Sequence, residues 1–217
     1  MNFIDKSWPF YMRSYSQEGE DVILNNYFEN TSGGFYVDVG AHHPFRFSNT
    51  YSFYKLGWKG INIDATPGSM VLFNKYRPKD INLEIAIANK NSKINYYVFD
   101  EPALNSFSYN ISKTRNTETS YKINKIIKLK THKISKILDD YLPIGCTIDF
   151  LSIDVEGFEL EVLQSNNWVK YRPRYILIEI LEEDLIKLCK HVIYKYLKQK
   201  KYSVVAVTGR NFIFKRS

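Results

Sequence analysis

Four acidic side chains stand at the ends of apolar stretches that are typical of buried strands. The runs FYVDV, GINID, FLSID and YILIE carry Asp38, Asp64, Asp154 and Glu179 at or next to their last position. Parallel strands present their carboxyl ends at one edge of a sheet, which is where open α/β sheets bind ligands. Because a buried acid without a partner is costly, four of them at one edge indicate a site for a cationic or hydroxyl-bearing ligand.

The first two acids are spaced as in nucleoside-binding folds. Asp64 lies 24 residues after Gly40, close to the distance at which dinucleotide-binding folds place the acid that accepts hydrogen bonds from ribose hydroxyls. The loop DVGAHHP, however, lacks the further glycines that bring backbone N–H groups against a pyrophosphate. A cationic nucleoside without phosphate, S-adenosylmethionine, therefore fits this loop better than NAD.

The elements that must position these acids alternate along the chain. Predicted strands are residues 35–39, 60–66, 81–89, 93–99, 126–134, 147–154 and 175–180, with a hairpin of 202–207 and 212–214. Predicted helices are residues 16–30, capped by Ser16 and closed by Gly33–Gly34, then 51–56, 66–77 starting at Thr66–Pro67, 135–142, one from Gly157, and 185–197. Such alternation favours βαβ units. We expect a three-layer α/β sandwich with a mostly parallel sheet of about seven strands and a C-terminal antiparallel hairpin.

Length and composition fit one domain. The chain has 217 residues, and we expect residues 1–217 to form a single domain with an N-terminal helical extension at 1–34. Residues 100–130 are predicted as a polar, basic loop or insertion near the acceptor site. Two cysteines, Cys146 and Cys189, without a CxxC pair favour neither a disulfide framework nor a thiolate zinc site. With no export or membrane-spanning signal visible, we expect a cytoplasmic protein.

Charge is distributed unevenly. The net charge is +7, residues 111–136 hold eight basic residues and one acid, and nine basic residues but no acid follow Asp184. Such segments attract nucleic acid or anionic membrane surfaces, and they are also common as plain solvated faces. Nucleic acid and peripheral membrane contact are therefore kept as less favoured partners beside a small-molecule or glycan acceptor, and the oligomeric state is left open.

Five segments together resemble the FkbM family of S-adenosylmethionine-dependent methyltransferases. They are SQEGED (16–21), FYVDVGAHHP (35–44), SNTYSFYKLGWKGINIDATPGS (48–69), LEIAIAN (83–89) and IDFLSIDVEGFELEVL (148–163). The resemblance implies the class I methyltransferase fold, which is Rossmann-like. It also implies O-methyl transfer to a sugar hydroxyl or a related biosynthetic intermediate, hence a role in glycan modification.

The resemblance also implies cofactor-binding positions. Asp38, Gly40 and Ala41 are similar to the loop that holds the methionine moiety, and Asp64 to the ribose acid, followed by Ala65. Ala86 is expected near adenine through its backbone, and Gln17 is expected to close over the cofactor. In related sequences the ribose position is more often Glu followed by Pro, whereas this chain has DAT.

Three residues are predicted to serve catalysis. Asp154 ends the fourth strand, which faces the transferable methyl in this architecture, and is our first choice as the base for the acceptor hydroxyl. Binding of the cofactor's amino group or capping of the next helix is its alternative. Glu156 either positions the acceptor or lies at a helix N-terminus. His42, beside His43, is a base near pH 7, a metal ligand or a structural residue.

Further alternatives concern the metal and the acceptor. No metal is assigned, although Asp154 with Glu179 resembles in outline the acids of Mg-dependent O-methyltransferases, a hypothesis that exhaustive EDTA treatment tests. An RNA or nucleotide-linked methyltransferase that uses the basic loop is a second function. A non-catalytic basic binding module on the same fold is a third, which the intact set of Asp38, Gly40 and Asp64 disfavours.

Overall fold

A computed structural model describes residues 12–29, 31, 33–181 and 185–217, the side chains of 185 and 186 excepted. In chain order its strands are β1 (Phe35–Val39), β2 (Lys59–Asp64), β3 (Ile81–Glu84), β4 (Ala86–Ile87), β5 (Lys93–Phe99), β6 (Ile123–His132), β7 (Phe150–Ile153), β8 (Tyr175–Glu179), β9 (Tyr202–Thr208) and β10 (Asn211–Arg216). The helices are α1 (Glu20–Tyr27), α2 (Tyr51–Lys55), α3 (Met70–Tyr76), α4 (Tyr109–Glu118), α5 (Ile134–Tyr141), α6 (Glu159–Gln164), α7 (Leu185–Leu188) and α8 (Val192–Gln199), with a 3-10 turn at Pro102–Leu104.

The main sheet has seven strands in the order β3-β2-β1-β7-β8-β10-β9. Strands β3, β2, β1, β7 and β8 are parallel, whereas β10 runs antiparallel to both of its neighbours. The predicted fold class is thereby confirmed, including the C-terminal hairpin. The strand order reverses between β1 and β7, and such a reversal opens a crevice at the carboxyl ends of the strands.

The sheet is covered on both faces, as its apolar strands require. Every residue of β1 and β8 is buried. Because successive side chains point to opposite faces, Val37 packs into one core with residues of α5, α6 and α8, while Tyr36 packs into the other with Leu24 and Phe53. Helices on both sides of a parallel sheet give the three predicted layers.

A second sheet of three strands, in the order β4-β6-β5, stands beside the main one. The stretch 81–89, predicted as one strand, is divided between the two sheets: β3 pairs with β2, and β4 pairs with β6. The chain leaves the main sheet at Ile85, whose N–H donates to the Asp64 carbonyl at 3.0 Å. The single-strand prediction was therefore wrong, because the stretch forms two strands with Ile85 between them.

Two predicted helix starts were also wrong. The first helix begins at Glu20, after Gly19 with a φ of 87°, and not at Ser16. The Ser16 hydroxyl donates to the Asp21 carboxylate at 2.9 Å and accepts from the Asp21 N–H at 3.4 Å. It ends at Tyr27, ahead of Gly33–Gly34. The third helix begins at Met70 and not at Thr66–Pro67, because the Thr66 N–H donates to the Asp64 carboxylate at 2.7 Å.

Two more predictions changed in the basic parts of the chain. Residues 100–130, predicted as a polar, basic loop or insertion, contain the 3-10 turn, α4 with the Ser108 side chain as its N-cap, and most of β6. The predicted helix 185–197 is interrupted at His191, which is extended and caps α8. None of the described helices is long and apolar enough to cross a membrane.

Candidate active site

The four predicted acids lie at the same edge of the main sheet, where two adjoining cavities open. The first cavity, together with open solvent at its mouth, has a volume of about 510 Å³, and Asp64 lines it. The second, counted in the same way, has about 960 Å³, and Asp38 and Glu179 line it. The two share part of their lining, namely Gly40, His42, Ala103, Asp154 and Glu156. A ligand in one cavity therefore meets a ligand in the other beside Asp154.

Asp64 is held by the backbone so that its carboxylate faces the first cavity. Its Oδ2 accepts from the His42 N–H at 2.9 Å, and its Oδ1 accepts from the Thr66 N–H at 2.7 Å. The residue is 7% exposed. Each carboxylate oxygen has a second lone pair beyond these bonds, so the side chain can accept two hydrogen bonds from a vicinal diol.

Residues of β5 and of the segment 100–130 form the opposite wall of the first cavity. Tyr96 of β5, Asn105 and Phe107 line it, and the Phe107 ring centroid lies 4.5 Å from that of Tyr96. Asn105 donates to Thr66 Oγ1 at 3.1 Å, which ties this wall to the turn after Asp64. The sequence predicted a polar loop or insertion at 100–130 near the acceptor site, but it did not predict that Tyr96, Asn105 and Phe107 line this cavity. The aromatic run in NYYVF was the available signal.

Asp38 lies deep in the second cavity. It is 4% exposed, and its Oδ2 accepts from Thr50 Oγ1 at 2.8 Å. Burial raises the pKa of this carboxyl, and the nearby Arg77 guanidinium opposes that rise. Arg77 is itself fully buried and is paired with Asp80 at 2.9 Å. The charge of Asp38 is thus left to face the cavity rather than a bonded cation.

Three carboxylates gather where the cavities meet. Ligand atoms of Asp154, Glu156 and Glu179 all lie within 4.8 Å of one another. Burial, and then the charge of Glu179, raises the pKa of Asp154. Burial, and then the charge of Glu156, raises the pKa of Glu179 to about 8. Such shifts in a cleft are typical of groups that handle protons or cations.

Two arginines from other elements balance part of this charge. Arg115 of α4 forms an ion pair with Glu156, and Arg210 of the hairpin turn has its Nε 3.8 Å from Glu179 Oε1. Both arginines line the second cavity. Sequence reasoning missed them, since each arginine is far along the chain from the acid that it contacts.

Glycines let these loops approach one another. A Cβ on Gly40 would lie 1.7 Å from the Asp154 carbonyl oxygen, so the ends of β1 and β7 can meet only with glycine there. A Cβ on Gly157 would lie 2.0 Å from Ile111 Cδ1, where α4 packs on the IDVEG loop. Ser106 Oγ also donates to the Glu156 carbonyl at 2.7 Å. The insertion is therefore built onto the acidic cluster.

The remaining predicted residues are placed as follows. His42 lines both cavities with a φ of 54°, and burial lowers its pKa, so the ring is held neutral. Gln17 and Ala41 line the second cavity, and Ala65 lines the first. Ala86 pairs with Thr131 in the small sheet and lies outside both linings, which its neighbours Ile85 and Ile87 join.

This fold and site define a Rossmann-like α/β protein of the methyltransferase type. The family model described as Methyltransferase FkbM domain matches residues 38–204 of the 217 in the chain. The chain therefore belongs to the FkbM methyltransferase family, as the sequence motifs predicted. A comparison with curated proteins finds no match. Of the predicted site residues, Gln17 alone precedes the matched range.

Proposed function

We propose that the protein transfers the methyl group of S-adenosylmethionine to a hydroxyl of a sugar or a related small biosynthetic intermediate. The observation that carries this proposal is the pairing of two cavities of different character. The first offers Asp64 and apolar or aromatic walls, and the second offers an acidic, polar chamber. They meet at Gly40 and Asp154, where a transferred group would pass.

The first cavity suits a nucleoside without phosphates. Its described lining contains the acids Asp64, Asp154 and Glu156 and neither lysine nor arginine. A pyrophosphate would find no positive partner there, whereas a ribose diol finds Asp64 and a base finds Tyr96 and Phe107. S-adenosylmethionine, with no phosphate and two positive centres, matches this donor set.

The chain's own residues would hold the cofactor at several points. Asp64 accepts the ribose hydroxyls, with Ala65 next to it. Asp38, Gly40 and Ala41 receive the ammonium and the methionine chain, and Gln17 covers them from the second cavity. Ala86 contributes through the strand that places Ile85 and Ile87 in the wall. When bound, S-adenosylmethionine supplies an electrophilic methyl group.

Catalysis then needs alignment and removal of one proton. The acceptor oxygen has to be held about 3 to 3.5 Å from the methyl carbon. Asp154 takes the hydroxyl proton, and the raised pKa of its buried carboxyl makes it a stronger base than an exposed aspartate. Glu156 positions the acceptor, and neutral His42 is the nearby second acceptor for a proton.

Calorimetry and turnover test this proposal on separate residues. We expect S-adenosylmethionine to bind the full chain, Asp64→Ala to lose affinity, and Asp154→Ala to keep most affinity but lose turnover. Asp140→Ala, an exposed acid paired with Lys136 on α5, is the matched control. Absence of binding to the unsubstituted protein would refute the cofactor. Full turnover by Asp154→Ala would remove the base assignment.

A second candidate, methylation of RNA, rests on the small sheet. Strands β5 and β6 carry exposed Lys93, Lys125, Lys128 and Lys130 and no acidic residue. This sheet borders the first cavity through Tyr96. Release of S-adenosylhomocysteine with RNA but not with nucleotide sugars, and with a steep salt dependence, would favour this candidate over the first.

A further inference from the structure

We infer that Asp154, Glu156 and Glu179 form a binding site for one divalent cation of the magnesium or manganese type. The inference deepens the proposed function and rests on it for the purpose of the ion, although binding itself is testable alone. Asp154 follows the end of β7, Glu179 ends β8, and Glu156 lies in the loop after β7. Two adjacent strands thus fix two of the three ligands.

The spacing of the oxygens suits a single ion. In octahedral geometry with metal–oxygen distances of about 2.1 Å, ligand oxygens are separated by roughly 3.0 Å when adjacent and 4.2 Å when opposite. The three side chains already have ligand atoms within 4.8 Å of one another. Small rotations of the carboxylates therefore bring them into one coordination shell.

Two buried carboxylate oxygens without hydrogen-bond partners among the described residues are an independent indication that the cluster binds a cation. Glu179 is 7% exposed, and its Oε2 is buried without a hydrogen-bond partner among the described residues. Asp154 Oδ1 is likewise buried and has no partner in the described part of the chain. Leaving such oxygens unpaired costs stability, and a cation between them removes that cost.

The local charge is also incomplete without a cation. Arg115 pairs with Glu156 and Arg210 approaches Glu179, whereas Asp154 makes no ion pair within the described residues. The ligand set consists of carboxylate oxygens alone, which suit hard cations such as Mg²⁺ and Mn²⁺ better than they suit Zn²⁺. Three protein ligands leave positions for water and for acceptor hydroxyls.

Such an ion would change the role of Asp154. As a ligand, Asp154 would hold the cation against the acceptor oxygen in the second cavity, beside the position proposed for the methyl group. The ion would then orient a hydroxyl, or two neighbouring hydroxyls of a sugar, and stabilise negative charge on the oxygen as its proton leaves. Glu156 and Glu179 would act through the ion rather than on the substrate directly.

Direct metal binding tests the site without any turnover. The full chain, stripped with EDTA and chelating resin, is titrated with Mn²⁺ while the electron paramagnetic resonance signal of free Mn²⁺ is followed. We expect one ion per chain and competition by Mg²⁺. Glu179→Gln and Asp154→Asn should each weaken binding by at least about 100-fold, because loss of even an outer partner costs 10- to 100-fold.

Asp64→Asn is the matched substitution, since it changes an acid of the first cavity. It should weaken binding of S-adenosylmethionine and leave binding of Mn²⁺ unchanged. Glu179→Gln should weaken binding of Mn²⁺ and leave binding of S-adenosylmethionine unchanged, so the cation site and the cofactor site can be refuted independently. Thermal unfolding of each variant shows that it is folded. The site is refuted if the signal of free Mn²⁺ at millimolar concentration is the same with the unsubstituted protein as in buffer alone. It is also refuted if Glu179→Gln binds Mn²⁺ as tightly as the unsubstituted protein does.

Discussion

At the scale of single residues, the proposed cofactor-binding role of Asp38 conflicts with the stability of the fold. The buried carboxyl has a raised pKa, so holding it ionised at neutral pH costs the folded state stability. We expect Asp38→Asn to raise the Tm of the ligand-free protein at pH 7, since Arg77 keeps its partner Asp80. The same change should weaken S-adenosylmethionine binding roughly 10- to 100-fold, because a charge-assisted hydrogen bond is lost.

The sign of the pH effect follows from the direction of that shift. As the pH falls toward the raised pKa of Asp38, the folded state takes up the proton before the unfolded state does. The Tm difference between Asp38→Asn and the unsubstituted protein should therefore shrink with falling pH. Thermal unfolding and calorimetry at several pH values measure both quantities. A lower Tm with unchanged affinity would mean that Asp38 is purely structural.

His42 should make stability depend on pH in the opposite sense. Burial lowers its pKa below the ordinary 6.5, so the unfolded chain binds a proton first as the pH drops through that value. This loss of stability begins near pH 6.5 and continues down to the lowered pKa. His42→Asn, which tolerates the φ of 54°, should reduce the fall in Tm between pH 7.5 and 5.5. An unchanged slope would contradict this account.

At the scale of elements, α4 depends on its contact with the acidic loop. The helix has ten residues, of which Ser112 alone is buried, and isolated helices of this length are marginal in water. Arg115 anchors it to Glu156 and to the Leu104 carbonyl at 3.3 Å. We expect Arg115→Met to accelerate amide hydrogen exchange in residues 109–118, because it lowers the free energy of local opening by roughly 1–3 kcal/mol.

Lys113→Met is the control for that measurement, because Lys113 is exposed on the same helix. It removes a positive charge from a side chain of similar length that does not contact Glu156. Equal exchange rates in the two variants would show that the ion pair with Glu156 does not hold the helix. Exchange of α5, on another part of the protein, should be unaffected by either change.

The bounds of the helices and strands also show which elements the local sequence can predict and which it cannot. The strands β1, β7 and β8 were predictable because each is a short apolar run buried on both faces, and their terminal acids could be placed with them. The helix α4 was not, since NISKTRNTE lacks an apolar stripe and owes its structure to Ser108 and Arg115. The division of 81–89 was hidden as well, because INLEIAIAN contains no glycine or proline to mark a break between two strands.

At the scale of the whole molecule, the sequence predicted the parallel sheet and one side of the site. Alternation of strands and helices leaves few topologies, so the acids of β1, β2, β7 and β8 had to share an edge. The other side of the candidate site is built by Tyr96 of β5, by Phe107 and Arg115 of the segment 100–130, and by Arg210 of the terminal hairpin. Their positions depend on how those segments fold back, which no local pattern encodes.

That construction predicts how the molecule responds to the proposed cofactor. The first cavity is lined by Asp64 of the main sheet, by Tyr96 of β5 and by Phe107 of the segment 100–130, so a ligand there links these three parts. S-adenosylhomocysteine at 100 times its Kd should add about 2.7 kcal/mol to the free energy of unfolding. For a domain of this size that raises Tm by roughly 5 to 10 °C.

Two comparisons make this last measurement decisive. NAD and ATP at the same concentration should leave Tm unchanged, because the described lining of the first cavity holds no lysine or arginine for their phosphates. Asp64→Ala should lose most of the rise with S-adenosylhomocysteine while keeping the fold. An equal rise with ATP would mean that the ligand binds through phosphate at some other surface, and the acids at the carboxyl edge would then need a different explanation.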